Sequence, residues 1–280
     1  MKVILADKLG FCFGVKRALD MTEAAIDKAI ASGEEISMLG ALIHNNAVVS
    51  RLQEKGIKII DSVDEVSDGS LVIRAHGVTQ DVLKKAGETG IDVIDATCPL
   101  VERVQKAAAQ LIKDGYTVYL AGDKGHAEIK SIVSAANGNV IVVATAEDIR
   151  ATDPSGKVGL LFQTTKDVET ASDFFNVLFE DCTEIKTIKT ICSATTDRQK
   201  AIRQLAPNVD CVIVVGDRNS ANTARLTSIA KKVNPKTYQV ENASQLELTF
   251  FDNCNTAGVS AGASTPSWLI DEVTKYIEAL

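Results

Sequence analysis

Short apolar runs alternate with stretches of helical periodicity along the whole 280-residue chain, and this alternation constrains the fold more than any other feature. The first run, Val3-Ile4-Leu5, is followed by a helical pattern that places Val15, Leu19, Ile26 and Ile30 on one face, with Gly33 as a stop. Further strands are expected at 36–39, 57–60, 70–74, 91–94, 117–121, 139–144, 157–162, 185–191, 209–215 and 256–260, with helices in most of the gaps. Strand and helix in strict alternation imply right-handed βαβ units and mostly parallel sheets. The fold class is therefore α/β.

Three of the six cysteines repeat within that pattern. Cys12 follows the first strand and precedes a helix opening near Gly14. Cys98 follows Val93-Ile94 and precedes Pro99, a favoured first helical residue, with Val101, Val104, Ala108 and Leu111 behind it. Cys192 follows the run Ile188 to Ile191 and precedes a helix carrying Ile202 and Leu205. They lie about a third of the chain apart, which points to three similar α/β lobes. Ligands of open α/β sheets gather at the carboxyl ends of strands, so three lobes facing one axis would gather the cysteines in a central cleft. Cys182, Cys211 and Cys254 read as ordinary small hydrophobes or loop residues.

A thiol ahead of a helix meets backbone N–H groups and the positive end of the dipole, which favour thiolate. There is no C-x-x-C, which removes the common zinc-ribbon and ferredoxin spacings. Three thiolates fit either an iron-sulfur cluster with one open iron or a zinc site completed by His44, His76 or His126. These are the only histidines, and each closely follows an expected strand. They could together bind an anion or move protons. Two polar loops, Asn219-Ser220-Ala221-Asn222-Thr223 and Gly262-Ala263-Ser264-Thr265-Pro266, open helices in the last third and offer N-caps or phosphate-binding N–H groups.

A net charge of -7 argues against a surface built to neutralise nucleic-acid phosphates. No window has the apolar length of a membrane span, and the first residues lack the apolar core of a signal peptide. A cytoplasmic enzyme with reduced cysteines and a small-molecule substrate is expected.

The motifs G-F-C-F-G-V around Cys12, D-A-T-C-P around Cys98 and I-C-S-A-T-T-D-R-Q around Cys192, with the N-S-A-N loop and G-A-S-T-P, closely resemble the 4-hydroxy-3-methylbut-2-enyl diphosphate reductases of the methylerythritol phosphate pathway. The likeness runs through nearly the whole chain in order. It implies lobes at 14–97, 98–192 and 193–280, the last joined by residues 1–13, in a pseudo-threefold arrangement. It also implies a two-electron, two-proton dehydroxylation yielding isopentenyl and dimethylallyl diphosphates at a 4Fe-4S cluster, with Cys12, Cys98 and Cys192 as ligands. His44, His76, Ser220, Asn222 and Ser264 match the diphosphate pocket of that family, and Glu128, His126, Thr164 and Thr195 match groups near the reacting end. A ferredoxin or flavodoxin type protein would supply electrons.

Two departures stand out: Ala127 where the family often has Pro, and Ala221 where it often has a second Ser. The first alters loop stiffness, and the second removes a possible donor to phosphate. Rival expectations are a non-redox hydro-lyase using a similar cluster, a non-catalytic iron-sulfur sensor and a colourless zinc protein.

Overall fold

The computed structural model describes residues 1–280. Its first elements are β1 (Lys2–Leu5), α1 (Phe13–Ser32), β2 (Ile36–Leu39), α2 (Asn46–Glu54), β3 (Lys58–Ile60), β4 (Ser70–Ile73), α3 (Gln80–Glu88) and β5 (Asp92–Asp95). They are followed by α4 (Pro99–Lys113), β6 (Thr117–Ala121), α5 (Ala127–Ala135), β7 (Val140–Val143), α6 (Ala146–Arg150), β8 (Gly156–Phe162), α7 (Val168–Asp181) and β9 (Cys182–Thr187). The last are α8 (Ser193–Leu205), β10 (Cys211–Val215), α9 (Ala221–Val233), β11 (Thr237–Val240), β12 (Thr256–Ala261) and α10 (Ser267–Glu278).

The strands form three four-stranded sheets of orders β3-β2-β4-β5, β7-β6-β8-β9 and β11-β10-β12-β1, and every pairing is parallel. The three orders are one topology, with β1 filling in the third sheet the edge place that β5 and β9 fill in the others. That is the expected α/β repeat. The chain divides into two compact units, one of residues 1–16, 44–49 and 193–280 and the other of 17–43 and 50–192. The first carries the third sheet; the second carries the other two.

The strands read as continuous apolar runs because both faces of the sheets are covered. In β10, Ile213 and Val215 pack with Leu269, Ile270, Val273 and Ile277 of α10, while Val212 and Val214 pack with Ile202, Leu205, Leu226 and Ile229 of α8 and α9. Each such side chain contributes about 1.5–3 kcal/mol on burial. In α4 the expected face of Val101, Val104, Ala108 and Leu111 is buried. Pro99 is its first residue. Gly159 of β8 lets α4 pack close, since a Cβ there would stand 2.9 Å from Leu111 Cδ1 and displace that side chain.

The structure departs from the expected elements in three places. Ile30, placed on the buried face of α1, is 67% exposed. β9 lies earlier than 185–191, and the Ile188–Ile191 signal falls beyond the strand, although Ile188 N still donates to Leu160 O at 3.2 Å. β11 was not expected at all.

Candidate functional site

The repeated topology sorts the chemistry-bearing residues by strand position. The two central strands of each sheet, between which chain order reverses, lead into the polar candidates: β2 to His44, β4 to His76, β6 to His126 and Glu128, β8 to Thr164, β10 to Ser220 and Asn222, and β12 to Ser264. That reversal is where open α/β sheets bind ligands. The edge strands β1, β5 and β9 lead instead into Cys12, Cys98 and Cys192, each immediately ahead of a helix.

In the unit of residues 17–43 and 50–192, the site is organised around Glu128, in the first turn of α5 and 2% exposed. Thr164 donates its backbone N–H to Oε1 at 2.7 Å and its hydroxyl to Oε2 at 2.8 Å. Burial pushes the carboxyl above the usual glutamate range, and the Thr164 hydrogen bonds oppose that shift in part. The result is a dry acid held by both oxygens. His126 caps α5, its Nδ1 accepting from Glu128 N at 3.2 Å, so in the neutral ring the proton sits on Nε2. The His76 and His126 rings meet edge to face, with centroids 5.3 Å apart.

The His76 turn is fixed from three sides. Arg74 Nε donates to Gly77 O at 3.3 Å, Gly77 N donates to Arg74 O at 3.0 Å, and the Ser131 hydroxyl on α5 lies 3.1 Å from His76 O. Gly77 has φ +73°, and a Cβ there would stand 3.2 Å from Ser131 Oγ, so the turn requires glycine.

In the unit of residues 1–16, 44–49 and 193–280, Ser220 caps α9 by accepting from Thr223 N at 3.3 Å. Asn222, two residues on and 4% exposed, has no partner for either Oδ1 or Nδ2. Thr223 Oγ1 is likewise buried without a partner. The carboxyl ends of β10 and β12 close tightly on this helix end, since a Cβ at Gly216 or Gly262 would come within 2.7 or 2.1 Å of Thr223 Oγ1. Ser264 is not the cap of α10, which is Pro266; its hydroxyl donates to His44 O at 2.9 Å. Asp217 ties the same loops together, accepting from Asn46 N at 3.2 Å and Asn219 N at 2.8 Å. Thr195 is buried near the start of α8.

All six cysteines are thiols. Cys12 N donates to Ala263 O at 3.0 Å, and the Cys12 sulfur accepts from Val15 N at 3.5 Å. Arg198 of α8 braces this loop from below through Gly10 O at 2.5 Å. Cys98 is the N-cap of α4 without a side-chain cap bond, and its N–H donates to Ala75 O at 2.9 Å. Cys192 N donates to Thr164 O at 3.0 Å, so the residue that holds Glu128 also anchors a cysteine. Three half-buried sulfurs, each at a helix start and none in a disulfide, fit thiolate donors to a metal cluster.

Sequence reasoning missed Gln163. It ends β8 beside Thr164, is 3% exposed, accepts from Asp123 N at 3.0 Å and keeps Nε2 buried without a partner. The only sequence signal was a polar residue directly after the apolar run Leu160-Leu161-Phe162.

Comparison with known proteins gives one consistent answer. The LytB protein family matches residues 3–278. A 4-hydroxy-3-methylbut-2-enyl diphosphate reductase of Geotalea uraniireducens is 41% identical over 280 residues, covering 100% of this chain and 98% of that one. Its namesake in Geobacter sulfurreducens is 42% identical over 278 residues, covering 99% and 97%. Among solved structures, (E)-4-hydroxy-3-methyl-but-2-enyl diphosphate reductase, described as the terminal enzyme of the non-mevalonate pathway, is similar with TM-score 0.72 and 38% identity over all of both chains. The E-1-hydroxy-2-methyl-but-2-enyl-4-diphosphate reductase of Plasmodium falciparum is similar with TM-score 0.91 and 27% identity, covering 100% of this chain and 87% of that one.

Proposed function

Because this chain belongs to the LytB protein family, we propose that it is a 4-hydroxy-3-methylbut-2-enyl diphosphate reductase. It removes the allylic hydroxyl of that diphosphate with two electrons and two protons, giving isopentenyl and dimethylallyl diphosphates. Cys12, Cys98 and Cys192 would hold a 4Fe-4S cluster, which when bound would supply electrons and Lewis-acid chemistry for the departing hydroxyl.

The observation that carries the reading is the Glu128 carboxyl, buried and held at both oxygens by Thr164. Hydroxide is a poor leaving group, and its departure as water needs a proton delivered in place. A carboxyl whose burial raises its affinity for the proton is suited to that task. His126, Thr164 and Thr195 orient the reacting end. Asn222 supplies unpaired amide groups to the diphosphate, with Ser220, Ser264, His44 and His76 as further donors. Remote contacts of this kind spend diphosphate binding energy on fixing the allyl unit.

A cytoplasmic setting and a ferredoxin or flavodoxin type donor belong to the same proposal. No helix is long and apolar enough to cross a membrane. The division into lobes at 14–97, 98–192 and 193–280 with residues 1–13 follows the repeated sheet topology. The test is anaerobic assay of the purified protein with the hydroxylated diphosphate and a one-electron reductant. Both olefinic diphosphates should form, in a brown protein, and only when the reductant is present. Turnover without reductant would replace the reductase by the hydro-lyase, and a colourless active protein would replace the cluster by zinc.

A further inference from the structure

The acid and the histidine turn of the second unit are joined by a side chain to which the proposed chemistry gives no part. Ser131 lies on α5, fully buried, one turn beyond Glu128. Its hydroxyl has three polar neighbours. Gln105 of α4 donates from Nε2 to Ser131 Oγ at 3.2 Å, Glu128 O lies 2.8 Å away, and His76 O, in the turn after β4, lies 3.1 Å away. Because the Gln105 amide fills an acceptor position on the oxygen, the single hydroxyl proton is left for the two carbonyl oxygens. One turn further along the same face of α5, Ser134 Oγ accepts from Gln80 N, the first residue of α3, at 2.9 Å. Helix α5 therefore holds both ends of the segment from His76 to Gln80. The turn rests directly on it, since a Cβ at Gly77 would stand 3.2 Å from both Gln105 Nε2 and Ser131 Oγ.

We infer that Ser131 is a positioning residue that acts through His76: its hydroxyl, aligned by Gln105, holds the His76 turn in register with Glu128 so that the ring meets the substrate diphosphate. The inference rests on the placing of His76 in the diphosphate pocket.

Register has to be supplied here because the two groups come from different sheets. His76 follows β4 and Glu128 follows β6, and no strand pairing joins their sheets. The edge-to-face contact of the His76 and His126 rings, with centroids 5.3 Å apart, belongs to a class that is satisfied over a range of separations and so allows one ring to slide on the other. A hydrogen bond at His76 O acts differently, because it fixes the backbone from which the ring projects. Glu128 takes part at both of its ends. Its carboxyl is held by Thr164, and its carbonyl shares the Ser131 proton with His76. The Ser131 hydroxyl is thus the link through which the strand end that fixes the acid also fixes the histidine.

The test is a double-mutant cycle read by calorimetric titration of inorganic diphosphate into the full-length protein, purified without oxygen with its cluster in place. Ser131→Ala removes one oxygen and leaves the residue most favourable to a helix. It should weaken diphosphate binding by about 3- to 10-fold, the measure of one neutral hydrogen bond. Gln105→Met, which leaves α5 untouched, should weaken binding in the same sense and keeps the cycle readable if α5 does not tolerate alanine. In a His76→Ala background neither substitution should change the remaining affinity by more than about twofold. A side chain that served packing alone would weaken binding equally with and without His76. That result, or undiminished binding in Ser131→Ala, would overturn the inference and leave the pocket as assigned. Unchanged binding in Gln105→Met would overturn the part given to Gln105. Failure of diphosphate to bind the wild-type protein, or undiminished binding in His76→Ala, would instead remove His76 from the pocket and the inference with it.

Discussion

At the carboxyl end of β8, Thr164 gives both its N–H and its hydroxyl to the two oxygens of Glu128, and the buried carboxyl is satisfied by its own protein. At the carboxyl end of β10 the arrangement is reversed. Asn222 is as deeply buried, yet neither its carbonyl oxygen nor its amide nitrogen finds a partner. Both corners come from the same sheet topology, a central strand running into a helix start. A buried polar group left unpaired costs about 1–3 kcal/mol, so the difference carries meaning. A group that must hold a proton between turnovers is best fixed in advance, whereas a group that must grip an anion can be left for the anion to complete. The first corner is pre-organised and the second stores an unmet demand.

The comparison bears on catalysis only if the cysteines at the edge-strand positions hold the reactive group, and this gives the largest expected effect. Cys12→Ser, Cys98→Ser and Cys192→Ser should each reduce iron and sulfide to background and abolish turnover, since three thiolates leave no spare ligand. Cys182→Ser and Cys254→Ser should keep both near wild type. Iron and sulfide analysis of anaerobically purified variants checks it, and equal loss at all five positions would remove the assignment.

The next effect isolates the completed corner. Glu128→Gln keeps the size of the side chain and removes its transferable proton, so turnover should fall by roughly 10²-fold or more while diphosphate affinity changes little. A fall in affinity of the same size as the fall in turnover would mean that Glu128 binds rather than protonates.

The open corner should respond in the opposite way. Asn222→Ala removes charge-assisted hydrogen bonds worth about 1.5–3 kcal/mol, so inhibition by inorganic diphosphate should weaken by roughly 10- to 150-fold. The ligand-free protein should unfold within about 0.5 kcal/mol of wild type, because no bond was made there to lose. Thr164→Val, which strips a donor from Glu128, should instead cost about 1 kcal/mol or more of stability. Calorimetry of the two variants without ligand decides it. If Asn222→Ala proves the less stable, the unmet demand is illusory.

These differences were unevenly legible in the sequence. α4 could be read directly, because Pro99 marks its start and Val101, Val104, Ala108 and Leu111 keep the helical period on the face that packs. The cysteine repeat gave the three sheets, because a parallel α/β unit ends the same way each time. β11 left no clear trace, since a four-residue edge strand of Thr-Tyr-Gln-Val lacks an apolar run. β9 was misplaced because its polar residues pair as an edge strand while the apolar Ile188 and Ile191 follow it. Ile30 fits a helical face by spacing, yet nothing in the period says where along a helix the packing stops. Glu128 beside a glycine turn looked like a solvated helix-start carboxylate. Only the long-range bonds from Thr164, 36 residues away, show it to be enclosed.

The smallest expected effect tests that enclosure without any substrate. Burial raises the Glu128 carboxyl above its ordinary value, so the folded protein holds that proton more tightly than the unfolded chain does. The contribution of the group to stability is therefore fully present below the unfolded glutamate value of about 4.3 and is lost as pH rises through the higher folded value. A glutamine side chain has no such proton to lose, so Glu128→Gln should unfold progressively later than wild type as pH is raised from about 4 towards 8, with the gap levelling off once Glu128 is ionised in both states. The Thr164 bonds oppose the shift, and with both variants carrying Thr164→Val the gap should begin at the same pH but go on growing to a higher pH before it levels off. The measurement is the unfolding midpoint of the four proteins across that range in one buffer series. A gap that stays flat, or that closes as pH rises, would place Glu128 in contact with solvent and remove the ground for treating its corner as complete before substrate arrives.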